Sequence, residues 1–338
     1  MSFEITKNDY LLDEKGVLKY TGWAKDLLLE YNRENITSSS LRIKEWDYYA
    51  ILNNNYGITI TITDLGILAI YNIVWLDFIN KKIVKDEEVK LFSKGKTNLP
   101  KSSKTGNILI NGKKISVEIV REKNLRTINI DFPKYSKKGL KVNLKLFKEE
   151  NDDTIVVCTP WEKKKSKFYY NQKINPILAE GKVIFGEKEF LFSNNDSYAV
   201  LDWGRGVWPY KDTWYWSSAS GKVNNKLFGF NLGYGFGHNP SSENIVFFDG
   251  KAHKLDKIEF KFNKKDFLEP WTIKSNDNRC ELLFEPIINR HDTVNLLIFK
   301  SVQNQVFGRF SGFVILDNGE KLEILNFLGF AEEVYNRW

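Results

Sequence analysis

The feature of this sequence that most restricts its fold is a period-two alternation of apolar and polar side chains. Ile58, Ile60 and Ile62 alternate with threonines, and Trp214 and Trp216 repeat the same period in the second half of the chain. Such an alternation places one set of side chains on each face of a β-strand. Because similar short segments recur along the whole chain, the sequence predicts an all-β protein.

Turn signals and a scarcity of helical patterns support this fold class. Asn-Gly at 111–112 and 318–319 and Asp-Gly at 249–250 are typical of tight hairpin loops. Two short helices are predicted, over Thr21–Tyr31 and Ala331–Asn336. With about 16 to 20 short strands expected, the pattern alone leaves both a sandwich and a barrel open.

The 338 residues are enough for two ordinary domains. An aromatic strand beginning at Trp46 leads through an Asn-rich turn to Asp64-Leu-Gly, and one beginning at Trp214 leads similarly to Asn231-Leu-Gly. The similarity between these two segments suggests that the chain contains a duplicated unit. The lysine-rich run 162–167 marks a plausible boundary, so we expect domains at 1–165 and 166–338.

Composition excludes several classes of function. The net charge is +7, but 41 of the 50 basic residues are lysines, whereas specific nucleic-acid recognition relies on arginine forks. No nucleic-acid partner is therefore expected. Two cysteines and three histidines without short ligand spacing predict neither a disulfide framework nor a metal site.

The same survey predicts no organic cofactor and no membrane segment. Gly233, Gly235 and Gly237 lack the spacing of a nucleotide-binding loop and no helical pattern follows them. The longest apolar run, 65–76, is shorter than the roughly 20 residues that span a bilayer. The first residues lack the apolar stretch of a signal peptide. We expect a cytoplasmic protein without a transmembrane segment.

Residues 198–237 concentrate aromatic, charged and glycine residues. Asp202 and Arg205 lie among four tryptophans and two glycines, which predicts that both occupy a tight loop at a strand end. An ion pair between them in an aromatic setting has two interpretations. In the first, the pair supplies a general acid whose pKa is shifted by its surroundings. In the second, it is a structural ion pair that closes one end of a barrel.

The aromatic and glycine residues of this region predict a wall for an apolar or amphipathic small molecule. On a strand, the glycines would share one face and leave room for a ligand, a bulky side chain or a crossing strand. The expected wall residues are Trp203, Trp208, Trp214, Trp216, Gly233, Gly235, Tyr234 and Trp271. Downstream, His238 and Glu243 are candidates for a second acid or base, with a surface role as the alternative for Glu243.

Several long strings resemble one protein family. They are GVLKYTGWAKDLLLEYNR (16–33), KEWDYYAI (44–51), LDWGRGVWPY (201–210), NLGYGFG (231–237), DGKAHKL (249–255), QVFGRFSG (305–312) and GFAEEVYNRW (329–338). These motifs resemble an uncharacterised bacterial family, domain of unknown function number twenty-eight-oh-four. That family resembles tandem lipocalin-like proteins, which include carotenoid hydratases and terpenoid or polyketide cyclisation enzymes.

The resemblance implies two lipocalin-like (calycin-type) β-barrels in tandem, with few short helices and a ligand pocket in or between the barrels. The expected function is binding of an apolar or amphipathic molecule. The alternative is a cofactor-independent hydratase, isomerase or cyclase that acts on an unsaturated lipid- or terpenoid-like substrate. In that case Asp202 would donate the proton, Arg205 would adjust the pKa of Asp202, and Glu243 or His238 would accept a proton.

Overall fold

The computed structural model describes residues 3–161, 164–237, 243–295 and 300–337. Strands account for most of these residues, and the two short helices are single 3-10 turns at Arg33–Asn35 and Tyr135–Lys137. The first twelve strands are β1 (Asp9–Tyr10), β2 (Gly22–Ala24), β3 (Leu29–Glu30), β4 (Ile43–Leu52), β5 (Tyr56–Asp64), β6 (Leu68–Asp77), β7 (Lys82–Leu91), β8 (Ile108–Asn111), β9 (Ser116–Glu122), β10 (Leu125–Phe132), β11 (Leu140–Phe147) and β12 (Ile155–Trp161). The remaining twelve are β13 (Lys164–Phe185), β14 (Lys188–Phe192), β15 (Tyr198–Val207), β16 (Lys211–Val223), β17 (Lys226–Tyr234), β18 (Ile245–Phe248), β19 (Lys251–Lys254), β20 (Ile258–Lys261), β21 (Trp271–Ser275), β22 (Cys280–Asn295), β23 (Lys300–Ile315) and β24 (Lys321–Arg337).

The predicted fold class is confirmed: all strands except β1 and β3 form two curled sheets consistent with tandem lipocalin-like barrels. Strands β1 and β3 pair with each other as a separate parallel two-stranded sheet. The two predicted helices are wrong. Thr21–Tyr31 contains the short strands β2 and β3, and Ala331–Asn336 lies within β24. In β24 the side chains alternate in burial and the backbone pairs with β16 and β23, so tertiary pairing overrides the local helical preference.

The first sheet has thirteen strands, with a main path β7-β6-β5-β4-β15-β13-β11-β10-β9-β8. Strand β12 pairs with β13 and β2, and β14 also pairs with β13. The long strand β13 spans 22 residues and pairs with β12 over its first part and with β11 over its second part. A register shift between Ile174 and Ile177 separates these parts.

The second sheet has nine antiparallel strands in the order β19-β18-β17-β16-β24-β23-β22-β21-β20. The change from the first sheet to the second falls between Val207 and Lys211. Strands β13, β14 and β15 therefore hydrogen-bond within the first sheet. No helix in the described part of the chain is long and apolar enough to cross a membrane.

Each sheet curls around its own apolar core, and the outer faces meet. The first core contains Ile60, Leu144 and Trp203, and the second contains Phe230 and Phe310. Two further apolar clusters join the sheets, and they include aromatic residues from both. The meeting faces thus bring side chains from distant parts of the sequence together.

Candidate functional site

A cavity of about 280 Å³ lies between the two sheets. Strands β4 to β7, β13 and β15 of the first sheet supply one wall, and β16 and β22 to β24 of the second supply the other. Because the cavity is built across strands, its composition depends on strand register. The lining residues are Lys44, Trp46, Tyr48, Thr61, Thr63, Leu65, Ile70, Asn72, Lys85, Glu87, Tyr169, Lys173, Asp202, Trp208, Trp214, Trp216, Phe236, Arg290, Asp292, Thr293, Val294, Ser301, Gln303, Gln305, Glu332, Val334 and Asn336.

Two rows of directly opposed residues form the centre of the walls. In an antiparallel sheet, residues opposite each other project from the same face, so such a row is a continuous strip of side chains. The row of the first sheet runs Lys173, Asp202, Tyr48, Thr61, Asn72 and Glu87. The row of the second sheet runs Trp216, Glu332, Gln305 and Arg290.

One end of the cavity is aromatic. Trp46 stacks on Tyr169 with ring centroids 6.2 Å apart, and Tyr169 stacks on Phe236 at 5.0 Å. Trp208 meets Trp214 edge-on at 5.1 Å. These rings offer flat apolar surface to a ligand and electron-rich faces to a positive charge.

The other end of the cavity is polar and its charges are paired. The Arg290 guanidinium donates to Asp292 Oδ2 at 3.0 Å and to Asn72 Oδ1 at 3.2 Å. Lys85 also pairs with Asp292, and its side chain is 41% exposed, which places this end towards solvent. A molecule in the cavity would thus meet aromatic rings at one end and hydrogen-bonding groups at the other.

Asp202 opens onto this cavity, but its partner is not the predicted one. Its Oδ2 lies 2.8 Å from Lys173 Nζ, and its Oδ1 accepts a hydrogen bond from Asn171 Nδ2 at 2.5 Å. Asp202 and Arg205 lie in the continuous strand β15, where residues three apart point to opposite faces. The predicted ion pair with Arg205 and the predicted tight loop are therefore wrong.

Arg205 points into the core of the first sheet. Its Nη2 lies 2.9 Å from Asp47 Oδ1, and Nη1 donates to the carbonyl of Trp46 at 2.6 Å. Glu45 lies near its Nε at 3.9 Å, and Arg121 contacts the second oxygen of Asp47 at 2.5 Å. This buried ionic network ties β15 to β4 and β9, which agrees with the structural interpretation of Arg205.

The predicted wall residues divide into two groups. Trp208, Trp214 and Trp216 line the cavity. Trp203 instead packs edge-on against Tyr170 in the first core, and the Arg205 guanidinium lies 4.3 Å from its ring centroid. Its position follows from the strand period, since it lies on the same face of β15 as Arg205.

Trp271 and Tyr234 belong to the second sheet's core region. Trp271 is fully buried and stacks on Phe262 at 4.0 Å. Tyr234 stacks on Tyr215 at 4.6 Å. Neither residue lines the cavity, so the prediction that they form its wall is wrong.

The glycine segment is not a continuous strand. Strand β17 ends at Tyr234, and Gly235 and Gly237 have φ of +97° and +76°, values that favour glycine. A Cβ on Gly233 would approach Glu243 Oε1 to 3.3 Å, and one on Gly235 would approach Trp214 Cα to 2.8 Å. The glycines thus permit close packing behind the aromatic wall, and the predicted glycine face over 233–237 is wrong.

Glu243 is buried directly behind this wall. Its Oε2 accepts from the Tyr169 hydroxyl at 3.4 Å, and burial raises its pKa, an effect that Lys173 opposes. A surface role for Glu243 is therefore excluded by its 2% exposure. The other candidate base, His238, lies outside the described residues.

Sequence reasoning missed Glu332 and Lys173, two buried charged residues of the cavity. Glu332 accepts hydrogen bonds from Trp214 Nε1 at 3.2 Å and from Gln305 Nε2 at 2.9 Å. Burial raises the pKa of Glu332 to about 7. The sequence signal for Glu332 is a charged residue inside an otherwise buried strand, and the helix predicted over Ala331–Asn336 hides this signal.

Two curled antiparallel sheets with an aromatic cavity between them define a tandem lipocalin-like β-protein. The chain belongs to the family described as "Domain of unknown function (DUF2804)", whose sequence profile matches residues 2–338. This finding confirms the family resemblance of the sequence motifs. No curated protein sequence matches the chain significantly.

Solved structures share the fold at low sequence identity. A protein assigned as AttH from Nitrosomonas europaea is 11% identical, with a TM-score of 0.53 over 90% of this chain and 96% of that one. Kievitone hydratase from Nectria haematococca is 10% identical, with a TM-score of 0.49 over 97% and 98%. CghA with Sch210972 is 9% identical, with a TM-score of 0.48 over 98% and 97%. The first of these supports the fold alone.

Proposed function

We propose that this protein binds an apolar or amphipathic small molecule in the cavity between its two sheets. The observation that carries the proposal is the asymmetry of the cavity. Six aromatic side chains (Trp46, Tyr169, Trp208, Trp214, Trp216 and Phe236) form one end, and hydrogen-bonding groups around Arg290 form the other. Ligand sites in proteins usually combine such an apolar wall with a few placed polar groups.

The energetics favour an apolar occupant. Transfer of apolar surface from water into the cavity gains roughly 25 cal/mol per Å². The rings are held by one another, as in the Tyr169–Phe236 stack, so little side-chain freedom is lost on binding. The paired Arg290 and Asp292 would accommodate a polar group without exposing an isolated charge.

A cavity-filling variant tests the proposal. Nile red, a neutral dye whose fluorescence rises in apolar surroundings, would be titrated into the purified protein. Thr61 lines the cavity, so Thr61→Phe should fill part of it and weaken Nile red binding about tenfold or more. Thr127 is half-buried on β10 outside the cavity, so Thr127→Phe is the matched control. Equal dye binding by both variants, or no binding by the parent protein, would overturn the proposal.

A second candidate function is acid–base catalysis on an unsaturated substrate. The observation that favours it is that two of the carboxyl groups lining the cavity, Asp202 and Glu332, lie beside its tryptophan rings. With its pKa near 7, Glu332 is suited to donate or accept a proton at neutral pH. Cationic intermediates would face the tryptophan rings, each of which contributes roughly 0.5–2 kcal/mol.

Isotope labelling tests this second function. Farnesol and geranylacetone would be incubated with the protein in H₂¹⁸O and, separately, in D₂O. Hydration adds labelled water to the alkene, and isomerisation or enolisation introduces deuterium. Both labels should disappear in Asp202→Asn or Glu332→Gln if these groups carry the proton. If probes that displace Nile red acquire no label with the parent protein, the catalytic function is contradicted and only the binding function remains.

A further inference from the structure

Lys173 is the buried cation at the aromatic end of the cavity. Its side chain is 1% exposed, and its Nζ lies 3.8 Å from the centroid of the Trp216 ring and 5.6 Å from that of Phe236. A lysine ammonium has three N–H donors and no acceptor. Within the described chain, Asp202 supplies the one carboxylate oxygen within ion-pair distance of it, at 2.8 Å.

At least one N–H of Lys173 thus faces an aromatic surface or the cavity without an oxygen acceptor. Leaving a buried donor unsatisfied costs free energy, most of all when the donor is charged. The other cations of the cavity are differently placed. Lys44 donates to the carbonyls of Leu41 and Leu65, while Lys85 and Arg290 both pair with Asp292.

We propose that Lys173 Nζ donates a hydrogen bond to the ligand, and that the ligand is an apolar molecule that carries a neutral acceptor oxygen, such as a ketone carbonyl. This inference rests on the proposed function and adds the ligand's chemical class. The carbonyl oxygen would complete the ammonium's hydrogen bonding, and the hydrocarbon skeleton would lie against the tryptophan rings.

The surrounding charges select a neutral oxygen over a carboxylate. Lys173 is already shared by three carboxyl groups: Asp202 is in contact, and Glu243 and Glu332 interact with it electrostatically. A ligand carboxylate would add a further negative charge beside Asp202 in a setting of low dielectric constant. A hydrocarbon without oxygen would leave the donor unsatisfied.

Three probes that differ in one group test this selectivity. They are geranylacetone, the hydrocarbon of the same skeleton without the carbonyl oxygen, and the carboxylate of matched length, each measured by displacement of Nile red. The ketone should bind the parent protein about tenfold more tightly than either other probe. Equal affinities for ketone and hydrocarbon, or tighter binding of the carboxylate, would overturn the inference while leaving the proposed function intact.

Variants test whether Lys173 causes the preference for the ketone over the hydrocarbon. Because Lys173→Met alone leaves Asp202 buried without its cation, the double variant Lys173→Met/Asp202→Asn is the main test. It should bind ketone and hydrocarbon equally, whereas Lys226→Met, which removes an exposed lysine outside the cavity, should keep the tenfold preference. A preference that survives in the double variant would assign the oxygen to another donor and overturn the inference. If Nile red does not bind the parent protein, the proposed function fails and this inference fails with it. If Nile red binds but none of the three probes displaces it, the inference alone is overturned.

Discussion

Lys173 and Asp202 are directly opposed on β13 and β15, and their side chains form a buried ion pair with Nζ 2.8 Å from Oδ2. The same register continues into Tyr48 on β4, so the pair begins the strip of cavity-lining residues on the first sheet. The same row of the sheet thus contains both the buried ion pair and the side chains that line the cavity. The ion pair belongs both to the stability of the fold and to the chemistry of the site.

Breaking this pair from one side should destabilise the protein strongly. Lys173→Met leaves a carboxylate buried without its cation, and such changes cost about 3–5 kcal/mol of unfolding free energy. The double variant Lys173→Met/Asp202→Asn should recover much of this loss. Urea denaturation of the two single variants and the double variant measures the coupling.

The control for this prediction is Lys85→Met. Lys85 pairs with Asp292 but is 41% exposed, and exposed pairs contribute about 0–1 kcal/mol. Additive effects of the two substitutions at 173 and 202 would contradict the prediction, because they would mean that the two side chains do not interact energetically.

The fold class could be predicted because it depends on a local pattern. The alternation of Ile58, Ile60 and Ile62 fixes which face of β5 packs into the apolar core of the first sheet, whatever the neighbouring strands are. Segments with weak alternation in sequence, such as Ala331–Asn336, are wrongly predicted as helix because their pairing partners lie in β16 and β23, outside the local sequence.

The candidate site could be predicted only in part, because it depends on which strands are neighbours. Trp208, Trp214 and Trp216 were found from their density in the sequence. The partnership of Asp202 with Lys173 instead requires the register of β13 on β15, which no local pattern specifies. The same limit applies to Arg205, whose partner Asp47 lies 158 positions away in the chain.

The raised pKa of Glu332 predicts a pH-dependent stability. The ordinary pKa of a glutamate is 4.5, and burial raises that of Glu332 to about 7. Between these values the folded chain holds a proton that the unfolded chain has released. Protonated Glu332 therefore stabilises the folded chain in acid. This contribution to the unfolding free energy is lost as the pH rises from about 4.5 to 7, and the loss is on the order of 3 kcal/mol.

Urea denaturation of the parent protein and Glu332→Gln at several pH values checks this expectation. Glu243 and Asp212 also have pKa values raised by burial, so the difference between the two proteins isolates Glu332. The difference in unfolding free energy should change across pH 4.5–7 and level off above pH 7. A difference that is independent of pH would show that Glu332 is ionised throughout this range.

Arg205 should affect stability without affecting the cavity. Arg205→Met leaves Asp47 and Glu45 with fewer partners in the first core, and we expect a loss of about 3–5 kcal/mol in urea denaturation. Nile red affinity of the remaining folded protein should be unchanged, since the guanidinium lies on the far face of β15. The control Arg309→Met removes hydrogen bonds to Asn54 at the surface and should cost about 1 kcal/mol or less. A large loss of dye affinity in Arg205→Met would instead place Arg205 in the site.

Gly204 should control the position of the aromatic end of the cavity. A Cβ at Gly204 would lie 2.0 Å from Trp46 Cζ2, so Gly204→Ala must displace the indole ring. Because Trp46 lines the cavity and stacks on Tyr169, this displacement should lower Nile red affinity severalfold and cost about 1–3 kcal/mol of stability by overpacking. The smaller ring in Gly204→Ala/Trp46→Phe makes room for the methyl group and should restore part of the stability, which urea denaturation would measure. If Gly204→Ala alone has the stability and dye affinity of the parent protein, the close contact between Gly204 and Trp46 does not position the ring.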